Sequence, residues 1–237
     1  MMRLVIALVL PLLLTGCKEE FAWRQKMTVT VETPAGEVSG SSVSAVSWQE
    51  HAVRFPDGMG WHYNVTGEAV VVEVTPGRYL FALIEGPSAN YLGSVAPASI
   101  AGRKGRVINP DLFDEVRDKR DRAAGVIAVP DYQYPMMVTF ADIADPASVA
   151  LVDPDDLAAS FGPGVRLKSV TLEVTDAPVT EGRLEARLPW LLQAGFKRFS
   201  VIPRSNDSRT TSPTNRNSPE ELLPISAFLT LNHWAAE

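Results

Sequence analysis

The sequence predicts an α+β fold, mainly antiparallel β-sheet with two short surface helices after an N-terminal signal peptide. Apolar and polar residues alternate with a period of two in several segments, which is typical of half-buried strands. Proline and glycine residues separate neighbouring segments by a few positions, so consecutive strands are expected to pair as hairpins. No repeat of about 20 to 50 residues is evident, which excludes solenoids and propellers.

Two hairpins are predicted in the first third of the chain. In the first, Met27, Val29 and Val31 alternate with polar residues, and a Pro-Ala-Gly turn leads into a serine- and valine-rich partner strand ending near Val46. In the second, two nearly apolar runs flank a Thr-Pro-Gly turn and are interpreted as buried central strands. The apolar runs of this second hairpin are residues 68–74 and 78–84, and later strand candidates are residues 165–174, 196–202 and 226–231.

Two helices have recognisable start and end residues. The first, residues 111–124, follows Asn109 and Pro110 and is so rich in charged side chains that we expect it on the surface. The second begins with Asp153 as the N-cap, carries Leu157 and Phe161 on one face, and ends at a Gly-Pro-Gly sequence.

The first 20 residues have the parts of a secretory signal sequence. Arg3 is followed by an eleven-residue apolar core, residues 4–14. That core is too short for a membrane-spanning helix, which needs about 20 apolar residues. The four residues Leu14-Thr15-Gly16-Cys17 resemble the lipobox of bacterial lipoprotein precursors.

This resemblance implies that residues 1–16 are removed as a signal peptide and that acyl chains such as palmitate attach to Cys17. The partner so implied is the lipid bilayer, bound through acylated Cys17. Because Cys17 is the only cysteine, no disulfide is expected. In lipoproteins an aspartate after the cysteine commonly signals retention at the inner membrane. Lys18 therefore favours the outer membrane over the inner membrane within the cell envelope and its periplasm.

Residues 17–26 are predicted to form a tether and residues 27–237 a β-rich body, with two subdomains at about 27–100 and 107–237 as an alternative. Residues 203–220 contain no large apolar side chain and are predicted to form a flexible polar loop. We expect a solvated loop there, with a basic arm that meets anionic cell wall or lipid headgroups as the alternative. The apolar segment that follows is expected to return to the body.

No motif for catalysis, a cofactor or a metal is found. The chain lacks G-x-S-x-G, H-E-x-x-H, the Walker sequence and G-x-G-x-x-G, and none of its lysines follows a serine by three positions. The net charge of −6 gives no support for nucleic-acid binding. We therefore predict no catalytic residue, no cofactor and no metal ligand.

Three clusters are weighed as interaction sites. The aromatic group Trp61, His62 and Tyr63, with Trp48 upstream, is a candidate for stacking on sugar rings, although such residues usually lie in a core or on a sheet. A basic trio is a candidate ligand patch, although a solvated loop is favoured. Five aspartates suggest calcium, although helix capping and turns account better for them. The trio is Arg103, Lys104 and Arg106, and the aspartates are Asp142, Asp145, Asp153, Asp155 and Asp156.

The sequence therefore predicts a lipid-anchored cell-envelope protein of non-catalytic binding or assembly type, with the cell wall or another envelope protein as a further partner. The alternative is a membrane-tethered hydrolase whose site is built from dispersed His, Asp and Glu residues. A pocket that gathers His51 or His62 with a carboxylate would favour the hydrolase.

Overall fold

The computed structural model describes residues 20–50, 61–84, 91–104, 114–118, 125–191, 198–201, 221–224 and 228–230. These residues form two antiparallel sheets and a two-stranded ribbon joined by short helical segments, which confirms the predicted α+β class. The strands are β1 (Glu20–Thr33), β2 (Gly36–Glu50), β3 (Trp61–Glu68), β4 (Val70–Thr75), β5 (Arg78–Ala82), β6 (Ile127–Ala128), β7 (Met137–Phe140), β8 (Val149–Leu151), β9 (Arg166–Val174), β10 (Arg198–Val201), β11 (Glu221–Pro224) and β12 (Leu229–Thr230). The helices are α1 (Ala96–Ala101), α2 (residues 114–118), α3 (Ala158–Phe161) and α4 (Arg183–Arg187), with a π turn at Tyr91–Val95 and 3-10 turns at Asp131–Gln133 and Pro146–Ser148.

The larger sheet has the strand order β12-β3-β2-β1-β9-β6 and is built on the long β1–β2 hairpin. The hairpin turn lies between Thr33 and Gly36, so the first predicted hairpin is confirmed. Alternate residues of β1 are buried, and the residues between them are half-buried or exposed. The buried positions include Met27, Val29 and Val31, which face the second sheet, while the opposite, outer face of this sheet is mostly polar.

The predicted tether overlaps the first strand, because β1 begins at Glu20 rather than near Met27. Phe21, Trp23 and Gln25 continue the buried face of the strand toward its start. The Trp23 indole N–H donates to the Gln25 side-chain oxygen at 2.9 Å, which satisfies the one polar group of that indole. Burying two aromatic side chains stabilises strand pairing here by several kcal/mol, roughly 1.5 to 3 for each large apolar side chain.

The smaller sheet has the order β4-β5-β7-β8 and confirms the second predicted hairpin, β4–β5. Gly77 has a φ of 74° in its turn, a conformation that glycine adopts without strain. The interpretation of both strands as central is wrong for β4, which lies at the edge of this sheet with Glu73 exposed. β5 is central, and Leu80, Phe81 and Ala82 are all buried because both faces of the sheet are covered.

The two sheets approach each other most closely where β2 passes β4. At Gly40 the backbones are so near that an added Cβ would lie 2.0 Å from the carbonyl oxygen of Val71. The chain moves from the larger sheet to the smaller one at Glu68 and Ala69, between β3 and β4. The Ser42 hydroxyl donates to the Glu68 carbonyl at 2.8 Å, which fixes this crossover against β2.

Both sheets combine strands from the two sides of the proposed subdomain boundary. The larger one pairs β1 with β9, and the smaller one pairs β5 with β7. Residues 27–100 and 107–237 therefore do not form separate sheets.

The second predicted helix is shorter than expected, and two further helices were not predicted. Only residues 114–118 of the first predicted helix are described; they are helical, and Val116 is buried. The second helix, α3, is a single turn, and Phe161 and the preceding Leu157 are buried on one face as predicted, while Ala159 is exposed. The sequence analysis did not predict α1 or α4.

The C-terminal segment returns to the body as predicted. β11 pairs with β10, β12 pairs with β3, and Phe228 is completely buried. The Ala69 N–H donates to the Phe228 carbonyl at 2.7 Å, which joins this segment to the crossover between the sheets. The predicted flexible loop at residues 203–220 lies outside the described residues.

Candidate functional site

The aromatic residues weighed as candidates for stacking on sugars lie on two neighbouring strands. Trp61, His62 and Tyr63 begin β3, and the register places Tyr63 opposite Trp48 of β2. The side chains of the β3 residues lie outside the described part of the structure, so their interaction role stays a prediction. Trp48 is 1% exposed, and its indole N–H donates to the Gly93 carbonyl at 3.1 Å. Trp48 therefore belongs to the core and is not available for stacking on a ligand.

Of the basic trio weighed as a ligand patch, the structure describes Arg103 and Lys104. Arg103 forms an ion pair with Glu115 of α2, with its Nε at 3.1 Å from the carboxylate. Its carbonyl accepts from the side chain of Gln133 at 3.2 Å. Lys104 is exposed, and Arg106 lies outside the described residues, as does Cys17. The geometry of Arg103 favours a structural role that joins α2 to the end of α1.

The acidic cluster consists of caps and turns, as predicted. The carboxylates of four of the five aspartates each accept from a backbone N–H two or three residues later, at 2.9 to 3.1 Å. These four are Asp142, Asp145, Asp153 and Asp156. Asp156, rather than Asp153, bonds into the first turn of α3, because that helix begins later than predicted. Across the described ranges, no group of three or more His, Cys, Asp or Glu residues could hold a metal ion.

A polar groove of about 490 Å³ lies on the outer face of the larger sheet, where β1 begins and β2 ends. We call it the outer groove and define it by Arg24, Ser47, Gln49, Asn64, Thr66 and Asp176. Two rows of paired residues cross its floor: Ala22, Ser47 and Asn64 form one, and Arg24, Ala45 and Thr66 form the other. The floor is low because alanine and serine occupy its middle strand, while longer side chains stand around it.

Arg24 is held in a fixed position at the side of the groove. Its Nη1 donates to the carbonyl oxygens of Asp176 and Ala177, at 2.8 and 3.1 Å. The Thr175 N–H in turn donates to the Arg24 carbonyl at 3.0 Å. These bonds attach the segment after β9 to β1, so the groove is largely formed before any ligand arrives.

A second, smaller cleft of about 270 Å³ surrounds Glu68 and Arg183 beside the crossover between the sheets. Glu68 is 1% exposed, and its Oε2 accepts from the Leu184 N–H at 3.0 Å, so it caps the start of α4. Arg183 reaches across the cleft and donates to the Ser41 carbonyl at 3.3 Å. Burial raises the pKa of the Glu68 carboxyl above its ordinary value of 4.5, although the hydrogen bond from Leu184 acts in the opposite direction.

The raised pKa makes stability depend on pH. The contribution of Glu68 is fully present below pH 4.5 and is lost as the pH rises through its folded-state pKa. We expect Glu68→Gln to remove this dependence, so that the variant gains free energy of unfolding relative to the wild type as the pH increases from 4.5. Glu68→Ala, which also removes the cap, should lose about 0.5 to 2 kcal/mol.

Urea unfolding at a series of pH values measures both effects. The exposed Glu181→Gln is the matched control, because it removes one negative charge nearby without removing a cap. Parallel pH curves for the wild type and Glu68→Gln would contradict the assignment.

The π turn joins the first helix to the larger sheet. The carbonyls of Leu92 and Gly93 accept from the side chains of Gln25 and Trp48, at 3.4 and 3.1 Å. The Tyr91 hydroxyl is buried without a hydrogen-bond partner among the described residues, and this burial raises the pKa of Tyr91. The turn therefore has a structural role, because its carbonyl groups accept hydrogen bonds from two inward-facing side chains.

Comparison with protein-family models, with curated proteins and with solved structures finds no match for this chain. Within the described ranges, no helix has the length and apolar character needed to cross a membrane.

Proposed function

We propose that the protein is a lipid-anchored lipoprotein of the bacterial cell envelope whose body binds a ligand or partner and performs no catalysis. The observation that carries the proposal is the lipobox resemblance at Leu14-Thr15-Gly16-Cys17, directly after an eleven-residue apolar core. The position of β1 supports it, because the folded body begins at Glu20, three positions after the cysteine. Lys18 favours delivery to the outer membrane.

The outer groove supports the binding part of the proposal. It is polar, it is stabilised by hydrogen bonds between separate strands, and its described lining contains no cysteine or histidine.

One observation favours the hydrolase as a second candidate. Glu68 combines a raised pKa with a cleft and a nearby guanidinium, a combination common in catalytic sites. Its carboxylate is already bonded to the start of α4, which favours capping over proton transfer. We therefore propose binding rather than hydrolysis.

Cys17→Ser tests the anchor. We expect the substitution to abolish incorporation of labelled palmitate and either to block removal of residues 1–16 or to release the chain from the membrane, because serine has no thiol to receive the diacylglyceryl group. Fatty-acid labelling followed by membrane fractionation measures both outcomes. Lys18→Ala is the control and should keep the label. An unmodified Cys17 thiol in the native protein, detected by mass spectrometry, would contradict the proposal.

A further inference from the structure

The lining of the outer groove offers hydrogen-bond donors and acceptors in balance. Arg24 provides donors, Asp176 provides acceptors, and the amide of Asn64 provides both. The hydroxyls of Ser47 and Thr175 also donate and accept. A ligand that matches such a lining carries many groups that both donate and accept, which is the property of a polyhydroxylated molecule.

The charge of the groove favours a neutral ligand. Its described lining residues include one arginine and one aspartate and carry no net charge, and the Nη1 of Arg24 already donates to two backbone carbonyls. Lys26 follows Arg24 on the outer face of β1, and its Nζ forms an ion pair with the Glu173 carboxylate at 2.9 Å. Phosphate binding requires cationic donors in excess, which the lining does not supply.

The backbone of the groove floor excludes strand addition by a peptide. β2 pairs with β1 on one side and with β3 on the other at Ala45, Val46 and Ser47. A peptide that binds as an added strand needs an unpaired sheet edge, and the middle strand of this floor has none. Recognition must therefore come from side chains that stand on the face of the sheet.

We propose that the outer groove binds a neutral saccharide, and this inference rests on the proposed function as an envelope-binding protein. Its volume of about 490 Å³ lies within the range of roughly 300 to 1,000 Å³ typical of small-ligand sites. Three residue steps separate Cys17 from the start of β1, so this end of the sheet stays within about 11 Å of the acylated residue. The saccharide therefore has two sources: a cell-wall glycan or the headgroup of a neutral glycolipid.

The test uses the lipidated protein, purified in a zwitterionic detergent without a sugar headgroup. One arm titrates it by calorimetry with maltose and with the disaccharide of N-acetylglucosamine. The other arm measures binding to phosphatidylcholine vesicles that contain diglucosyl diacylglycerol, with pure phosphatidylcholine and phosphatidylglycerol-containing vesicles for comparison. We expect Asn64→Ala and Asp176→Ala each to weaken saccharide binding about fivefold or more. Thr30→Ala, on the same outer face but at the other end of β1, should change binding less than about twofold.

Binding of the soluble disaccharides supports the proposal with a glycan as the source, and binding of the glycolipid vesicles alone supports it with a headgroup as the source. No saccharide binding in either arm, binding that needs the anionic lipid, or binding unchanged by Asn64→Ala would overturn it. The soluble arm repeated on Cys17→Ser protein measures saccharide binding without the lipid and so separates the two hypotheses. If the wild-type Cys17 takes no label and the Cys17→Ser protein binds saccharide, only the anchor is refuted. If the wild-type Cys17 takes the label and neither protein binds saccharide, only the groove proposal is refuted.

Discussion

Gly40→Ala is expected to lower the free energy of unfolding by at least about 3 kcal/mol, or to prevent folding altogether. An added Cβ would lie 2.0 Å from the Val71 carbonyl oxygen, far inside van der Waals contact. Overpacking usually costs about 1 to 3 kcal/mol, and the clash here is with backbone that cannot rotate away. Relief requires β2 and β4 to separate, which opens the core between the two sheets.

Urea unfolding followed by tryptophan fluorescence measures this loss, since Trp48 and Trp23 are buried. Ser39→Ala is the matched control. Its residue is exposed and adjacent to Gly40 on β2, so it should change stability by less than about 0.5 kcal/mol. Equal stability of the Gly40→Ala and Ser39→Ala variants would mean that the two strands do not approach as described.

Phe228→Ala is expected to cost about 3 to 5 kcal/mol, the range for a fully buried aromatic side chain. The Phe228 ring contacts the rings of Phe81 and Phe140, with centroids 6.4 and 6.1 Å apart. Loss of the ring leaves a cavity on the face of the smaller sheet that points away from the larger sheet, and it weakens the attachment of the C-terminal segment. We expect β12 to separate from β3 before the rest of the body unfolds.

Limited trypsin digestion and thermal melting distinguish these effects. In the wild type, cleavage in residues 203–220 should leave two fragments that stay together, whereas in Phe228→Ala the C-terminal fragment should dissociate. Tyr132→Ala, at a side chain that is 59% exposed, is the aromatic control and should leave both readouts unchanged. Fragments that remain together in Phe228→Ala would contradict the docking role of this residue.

The hairpins were predictable because their information is local. Alternation in β1 and the Thr-Pro-Gly turn after β4 both lie within short stretches of sequence. The start of β1 was misplaced because Arg24 and Lys26 look like tether residues. Only their pairing with β2 shows that they occupy the outer face of a strand whose other face is buried.

The two helices that the sequence analysis missed differ in the periodicity of their apolar residues. α1 is buried on nearly every side, so its apolar and small residues show no amphipathic pattern. α4 is short, yet Leu184, Leu188 and Leu191 have helical spacing and are all buried. That spacing was a usable indication of a helix packed against the smaller sheet.

The candidate site was less predictable than the fold, because it depends on strand register. Ala22, Ser47 and Asn64 are far apart in the chain and become neighbours only through the pairing of three strands. Trp48 was weighed as a ligand contact, although a core position was favoured, and it lies in the core. A single strand does not reveal which of its faces is covered until its partners are known.

The larger sheet places its longest strands inside and its shortest at its edges. β1 and β2 have 14 and 15 residues, whereas the described edge strands β6 and β12 have two residues each. An edge of two residues offers too few free backbone groups to template another strand. Where β6 and β12 form its described edges, the larger sheet therefore gives a second copy of this chain little backbone on which to add a strand.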